Sequence, residues 1–291
     1  MKTIYVLGSL NMDLAIETKS LPSKGQTIAG EKFSTCPGGK GLNQAIAASK
    51  LGAKVKMLGA IGKDSFGKEM LEALKKNNVD VRHIKTLDNT SSGIAMIILH
   101  DKDNRIILDL GANMKLEKKD VDAFLNEASE GDIFLTQLEN DIQIVGYALE
   151  VAKKRKMLTV VNPAPSNIEI LKYAKNISVL TPNSGELQDL LKSSNLKKLP
   201  IPNVIETRGK DGYCLYQKER IIKNKAIEVN VVDTTGAGDT FNGALCYKLA
   251  LEKPIDKETL DFASLAASIS TTRKGSSISS PTLDEVNHFH K

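Results

Sequence analysis

The sequence predicts an α/β fold: a mostly parallel central sheet with helices laid on it, plus a small β-sheet lid. Three observations predict it. Short apolar runs at 4–7, 54–58, 132–136, 157–161 and 177–180 alternate with helical patterns, the rhythm of parallel strands joined by crossover helices. Two strand-like stretches, 14–36 and 92–110, fall outside that rhythm. Ala, Ile, Leu and Val are plentiful while aromatics make up 4% and Trp is absent, which suits a sheet buried on both faces.

The first strand, over 4–7, halts at Gly8-Ser9, and Leu10-Asn11-Met12-Asp13 follows. Ligands of open parallel sheets lie beyond the carboxyl ends of the strands, so Asn11 and Asp13 are candidate hydroxyl binders. The looser stretch 14–36, with a turn at Leu21-Pro22-Ser23-Lys24-Gly25, begins the lid. Pro37-Gly38-Gly39-Lys40-Gly41-Leu42-Asn43-Gln44-Ala45 then opens a helix with a small-residue face (Ala45, Ala47, Ala48) that stops at Gly52. Its glycines either let the backbone lie against a ligand, with Asn43 reaching it, or simply make a glycine-rich helix entry. After a strand over 54–58, Asp64 caps a helix bearing Phe66, Met70, Leu71 and Leu74. Residues 92–99 and 105–110 flank Asp101-Lys102-Asp103-Asn104 as a hairpin that completes the lid.

From there the alternation is regular. A helix carrying Val121, Phe124, Leu125 and Ala128 leads to the strand over 132–136, which ends in Gln137-Leu138-Glu139. The next helix ends in Lys153-Lys154-Arg155-Lys156, where cations suit the helix dipole. The strand over 157–161 gives way to Asn162-Pro163-Ala164-Pro165, and that over 177–180 to Thr181-Pro182-Asn183-Ser184-Gly185-Glu186. Glu139, Asn183 and Glu186 thus fall at the same sheet edge as Asn11 and Asp13, although helix capping is the plainer role for each alone. A strand over 203–206 runs into the glycine-rich turn Thr207-Arg208-Gly209-Lys210-Asp211-Gly212, and 213–216 with 221–222 make an edge hairpin.

The β-branched run Ile227, Val229, Val231, Val232 predicts one more strand, stopping at Asp233. The turn Thr234-Thr235-Gly236-Ala237-Gly238 follows, and a helix with Phe241, Ala244, Leu245 and Leu249 on one face. Amides opening that helix, with the positive dipole end behind them, make a seat for an anion, and Asp239 at its mouth reads as a general base. Taken alone, the turn is equally a tight loop capped by Asp233 and Asp239; it matches neither a Walker A loop nor Gly-x-Gly-x-x-Gly. Helices with Phe262, Leu265, Ala266 and Ile269, then Leu283 and Val286, enclose Thr272-Arg273-Lys274-Gly275-Ser276-Ser277.

A length of 291 residues without linker or repeat predicts one domain over 1–291. The net charge of +5, from 40 basic and 35 acidic residues, is spread too evenly for nucleic acid, and no aromatic platform accompanies it. Three unclustered cysteines (Cys36, Cys214, Cys246) predict a reducing, cytoplasmic setting, and no apolar run is long enough for a membrane. His288 and His290 flank Phe289 in a terminal helix, without metal-ligand spacing.

Gly38-Gly39-Lys40-Gly41-x-Asn43-Gln44-Ala45 and Asp233-Thr234-x-Gly236-Ala237-Gly238-Asp239, in this order, resemble the two signatures of the ribokinase (PfkB) family of carbohydrate kinases, over essentially the whole chain. The resemblance implies the ribokinase-like three-layer fold, with a lid from about 13–37 and 92–110. It implies transfer of the γ-phosphoryl of ATP to O5 of D-ribose, with Asp239 as base and the turn Gly236, Ala237, Gly238 as anion hole. Asn11, Asp13, Gly39, Lys40, Gly41, Asn43 and Glu139, with Asp239, match sugar-binding positions. Asn183, Thr207, Gly209, Lys210, Gly212, Gly238 and Ser264 match ATP-binding positions, and Asn183 with Glu186 a motif that organises Mg2+ through water. Asp233, Thr235, Ser270, Arg273, Gly275 and Ser279 match positions that bind an activating K+ through backbone carbonyls and a carboxylate. Dimerisation through the lid is implied too. A sibling kinase for fructose, a deoxy-sugar acid or a nucleoside alters Asn11, Asp13 or Glu139, and none is altered; a silent regulator on this fold loses Asp239 or the paired glycines, and all are present. One departure from the family lies between Glu186 and Thr207, where Leu187-Gln188-Asp189-Leu190-Leu191 passes through Ser193-Ser194-Asn195 to Leu199-Pro200-Ile201-Pro202, about one helix short. That face of the sheet is expected to be thinly covered.

Overall fold

The computed structural model describes residues 1–101, 103–192 and 195–289. From the amino end come β1 (Thr3–Leu7), β2 (Asn11–Glu17), β3 (Glu31–Gly38), α1 (Lys40–Lys50), β4 (Lys54–Gly62), α2 (Ser65–Lys76) and β5 (Asp80–Leu87). The hairpin β6 (Gly93–His100) and β7 (Asp103–Asp109) follows, then α3 (Lys118–Leu125), β8 (Ile133–Thr136), α4 (Ile142–Lys154), β9 (Leu158–Val161) and β10 (Val179–Leu180). Last come α5 (Ser184–Leu191), β11 (Asn203–Thr207), β12 (Tyr213–Gln217), β13 (Arg220–Asn224), α6 (Ala237–Ala250), α7 (Lys257–Ser270) and α8 (Leu283–Asn287).

Nine strands form one sheet in the order β13-β12-β11-β10-β9-β8-β1-β4-β5. It is parallel except where β12 pairs antiparallel with β11 and β13, the edge hairpin the sequence predicts. Ile4 of β1 stands opposite Val55 on one side and Ile133 on the other, so β1 is an interior strand. Its side chains alternate between two cores. Ile4 and Val6 pack with Leu42, Ala45, Leu245 and Leu260, under the layer of α1, α6 and α7. Tyr5 and Leu7 pack with Phe124, Val145, Leu149 and Leu187, under α3, α4 and α5. Ile4, Tyr5, Val6 and Leu7 are all buried, which is why the strand is apolar without alternation.

The remaining strands make a separate sheet ordered β3-β2-β6-β7. β2 lies parallel to β6, with Asn11 opposite Gly93, and antiparallel to β3, with Asp13 opposite Cys36. Asn11 and Asp13 therefore sit on a strand of the small sheet, not in a loop after β1. Lys102, in the predicted hairpin turn, lies outside the described residues.

Residues 227–232 form no strand, contrary to expectation. The sheet already ends at β13, and the amides of Val232 and Asp233 both bond to the carbonyl of Thr271 at the end of α7. Val231 and Val232 stand 61% and 56% exposed, so their β-branched spacing reflects a wall and not a ladder. The helix capped by Glu117 is also shorter than its pattern: α3 stops at Leu125, leaving Ala128 beyond it.

The connection from β10 to β11 consists of the eight-residue α5 and a 3-10 turn at Leu196–Lys198. Leu187, Leu190 and Ile201 still seal the core beneath it, but an open groove of about 460 Å³ remains between Leu171, Lys175, Lys198 and Pro200. Ser193 and Ser194 lie outside the described residues, as does His290. Among the described residues no helix is long and apolar enough to cross a membrane.

Candidate active site

Glycines bring the site together. A Cβ on Gly41 would lie 2.5 Å from the carbonyl carbon of Gly8, so the first turn of α1 rests directly on the chain leaving β1. Gly39 has φ +91°, and a Cβ there would lie 2.7 Å from the Asn11 amide. Lower on the same helix, Gly243 of α6 meets Ala47 and Ala48 so closely that a Cβ would stand 2.6 Å from that of Ala47. These contacts place the starts of α1 and α6 side by side.

Across that junction Asp239, 8% exposed, is held by two amides. Its Oδ2 accepts from Asn43 Nδ2 (3.0 Å) and its Oδ1 from Gln44 Nε2 (2.9 Å). Gln44 is fixed in turn: its Nε2 also donates to Asn162 Oδ1 (3.1 Å), and its Oε1 accepts from Gln137 Nε2 (2.7 Å). The donors are all neutral, so they orient the carboxylate without placing a positive charge directly on it. Gly236 precedes α6 in the left-handed region (φ 76°), and the Ala237 amide is tied to the Thr234 carbonyl (3.2 Å). The Gly238 and Asp239 amides find no acceptor among the described residues.

Glu139, buried past the end of β8, accepts from Ser9 Oγ, from Asn11 Nδ2 (3.3 Å) and from the Lys40 amide (3.3 Å). Asn113 sets the Asn11 side chain, donating to its Oδ1 (2.8 Å) while accepting from the Leu10 amide (2.9 Å). Asp13 packs against Gly38. Burial, then the charges of Glu139 and Asp239, push its carboxyl up to about 7. Burial works against the Lys40 ammonium, yet Asp239, Glu139, Glu186 and Asp13 outweigh it and hold its pKa above the usual lysine value. One cation thus serves four carboxylates. The buried Asn43 Oδ1 has no partner among the described residues, an acceptor left for a bound donor.

Next to this polar crevice opens a cleft of about 710 Å³. Thr207, Gly209, Lys210, Gly212, Gly238 and Ser264, six of the seven expected ATP-binding positions, line it. Asn183 does not. It caps α5, exchanging hydrogen bonds with Glu186 through both side chains (2.8–2.9 Å). Burial raises the Glu186 carboxyl even though the Asn183 amide and Lys40 pull it down. Of the expected K+ positions, Ser270 Oγ donates to the Ala267 carbonyl (2.8 Å) and Ser279 Oγ to that of Ser276 (2.8 Å), while Thr235 and Gly275 meet at Asp233, whose carboxylate accepts from Thr235 N (2.9 Å), Thr235 Oγ1 (2.7 Å) and Gly275 N (3.0 Å). Those hydrogen bonds outweigh burial and hold it below the usual range. Arg273 instead pairs with Glu285 (2.9 Å). Among the described residues no group of three His, Cys, Asp or Glu gathers as a metal cluster.

The sequence alone gives no site role to Gln44, Gln137, Asn162 or Asn113, and it reads Ile227, Val229, Val231 and Phe241 as strand and helix-face residues where they wall the cleft. Gln137 and Asn162 directly follow strand ends and Gln44 adjoins the first turn of α1, the same kind of place as the residues the sequence singles out. That position was the available signal.

The profile of the pfkB family carbohydrate kinases matches residues 1–283, and the chain belongs to that family. It is a kinase of the ribokinase group on a ribokinase-like fold. It is 38% identical to the ribokinase of Schizosaccharomyces pombe, over 98% of this chain and 97% of that one. The ribokinase of Haemophilus influenzae is 37% identical, over 99% and 98%. The Arabidopsis thaliana ribokinase solved with ribose and ATP superposes with a TM-score of 0.88 at 30% identity, covering 99% of each chain.

Proposed function

We propose that this kinase phosphorylates D-ribose at O5 with ATP, giving ribose 5-phosphate and ADP. The observation that carries the reading is the place of Asp239, a buried carboxylate oriented by Asn43 and Gln44 where the polar crevice meets the 710 Å³ cleft. The relatives named ribokinase, and the Arabidopsis ribokinase solved with ribose and ATP, support it.

Asn11, Asp13, Lys40, Asn43 and Glu139, with the backbone at Gly39 and Gly41, hold the sugar hydroxyls. A sugar lacking one leaves a buried group unpaired, at about 1–3 kcal/mol. ATP takes the cleft, bounded by Thr207, Gly209, Lys210, Gly212 and Ser264. Asp239 accepts the proton of the 5-hydroxyl, the oxygen attacks the γ-phosphorus, and the bond to the bridging oxygen breaks with its electron pair leaving on ADP. The Gly236–Asp239 turn offers its unpaired amides to charge on the transferred group.

Two ions fit the residues present. Asn183 and Glu186 would hold a hydrated Mg2+, which supplies charge neutralisation to the phosphates; the capping box fixes that carboxylate while leaving its outer lone pairs unused. The Asp233 carboxylate and main-chain carbonyls at Thr235, Ser270, Arg273, Gly275 and Ser279 would hold K+, and the buried Ser276 Oγ, without a partner among the described residues, marks a polar gap in the same loop. The β3-β2-β6-β7 sheet serves as lid and dimer contact on one domain spanning 1–291.

Asp239→Asn tests the assignment. Ribose binding, measured by calorimetry, stays within about threefold, while kcat falls by about 10²- to 10⁴-fold. Unimpaired turnover in that variant refutes the assignment.

A further inference from the structure

Lys50 closes α1, and its Nζ sits among three main-chain carbonyl oxygens, those of Ser277 (3.1 Å), Ile278 (2.9 Å) and Ser280 (3.0 Å). An ammonium has three N–H groups, and here each meets a neutral acceptor. The segment it grips, 275–280, touches the turn before α6 at Asp233 and at Gly236. Gly275 N donates to Asp233 Oδ2 (3.0 Å). The Ser276 backbone packs on Gly236, where a Cβ would lie 2.9 Å from its Cα. Ser280 Oγ lies 2.9 Å from Thr240 Oγ1 of α6, and Ser277 Oγ donates to the Pro37 carbonyl of β3 (3.4 Å). The same helix carries Lys40 at its other end, about 15 Å away at 1.5 Å per residue, with Asn43 and Gln44 between, about 9–10 Å from Lys50.

We infer that Lys50 is a positioning residue for phosphoryl transfer, a tethered cation that holds the 275–280 segment, and through it the Gly236 turn, in register with the Asp239 carboxylate. The inference rests on the kinase reading above. Arg273, Gly275 and Ser279, proposed as K+ positions, lie in or beside that segment, so K+ and Lys50 organise one stretch of chain. Burial, with Arg273 nearby, lowers the Lys50 pKa, which agrees with an ammonium satisfied by dipoles and not by a carboxylate.

The test uses purified full-length protein with KCl, ATP and D-ribose. In Lys50→Met, kcat falls by about 10- to 100-fold, the cost of a displacement on the order of 1 Å, while KM for ribose stays within about twofold. The KCl concentration giving half the rise in Tm, measured without substrates, increases at least about threefold. A wild-type kcat together with a wild-type KCl midpoint in Lys50→Met overturns the inference, whatever its Tm. If Lys50→Met fails to fold, Lys50→Arg decides: kcat within about threefold and an unmoved KCl midpoint support the tethered charge, and a tenfold loss of kcat at wild-type Tm overturns it. A wild-type protein whose Tm ignores KCl removes the K+ reading alone, and Lys50 is then judged by kcat and the Arg rescue.

Discussion

Asp13 changes charge within the working pH range, because burial and two neighbouring carboxylates bring it to about 7. As a carboxylate it accepts from sugar hydroxyls; once protonated it loses acceptor capacity and the field that complements Lys40. KM for ribose is therefore expected to rise as pH falls below about 7, and Asp13→Asn to flatten that dependence at a uniformly higher KM. The sign for stability is opposite. The folded pKa is raised above the unfolded value, so the group's contribution is full below about 4 and is lost as pH rises through about 7. The charged form suited to the sugar is the less stable one, which urea titrations of wild type and Asp13→Asn between pH 5 and 8 check. At this scale the acids and glycines were legible, since Asp239, Glu139 and Gly39 stand in short motifs at strand or helix ends. The chain of amides behind Asp239 was not: Gln44, Gln137 and Asn162 act by the direction of an uncharged side chain, which depends on three elements meeting.

At the scale of elements, the junction of α1 and α6 decides how Asp239 stands. Gly243→Ala puts a methyl 2.6 Å from the Ala47 Cβ and 2.8 Å from the Ala48 amide. Over-packing of this kind costs about 1–3 kcal/mol. Because Gln44 and Asp239 ride on the two helices being pushed apart, kcat is expected to fall together with Tm; a drop in Tm with unchanged kcat separates the helices from the chemistry. Most elements could be read from period alone. Residues 227–232 could not, because alternation reports where side chains go and says nothing of whether a neighbouring strand has a free edge. The short β10–β11 connection was legible as a count of residues, and the groove beside Lys198 is its result.

For the whole molecule, the small sheet gathers several uncovered apolar residues on adjacent strands. Met96 and Ile107, paired across β6 and β7, are 51% and 65% exposed, and Phe33 on β3 is 64% exposed. That is the surface the proposed dimer buries. Ile107→Lys is expected to convert the protein to monomers in sedimentation velocity runs; a wild-type chain that already sediments as a monomer sinks the dimer.

The wall formed by Ile227, Val229, Val231 and Phe241 has a thermodynamic consequence. With the cleft vacant, water must wet that hydrocarbon, and a planar base laid against it would release the solvent. Calorimetry of ATP binding at several temperatures should then give a negative heat-capacity change. Val231→Ser should shrink its magnitude, and preparations kept without nucleotide should be the ones that turn cloudy first.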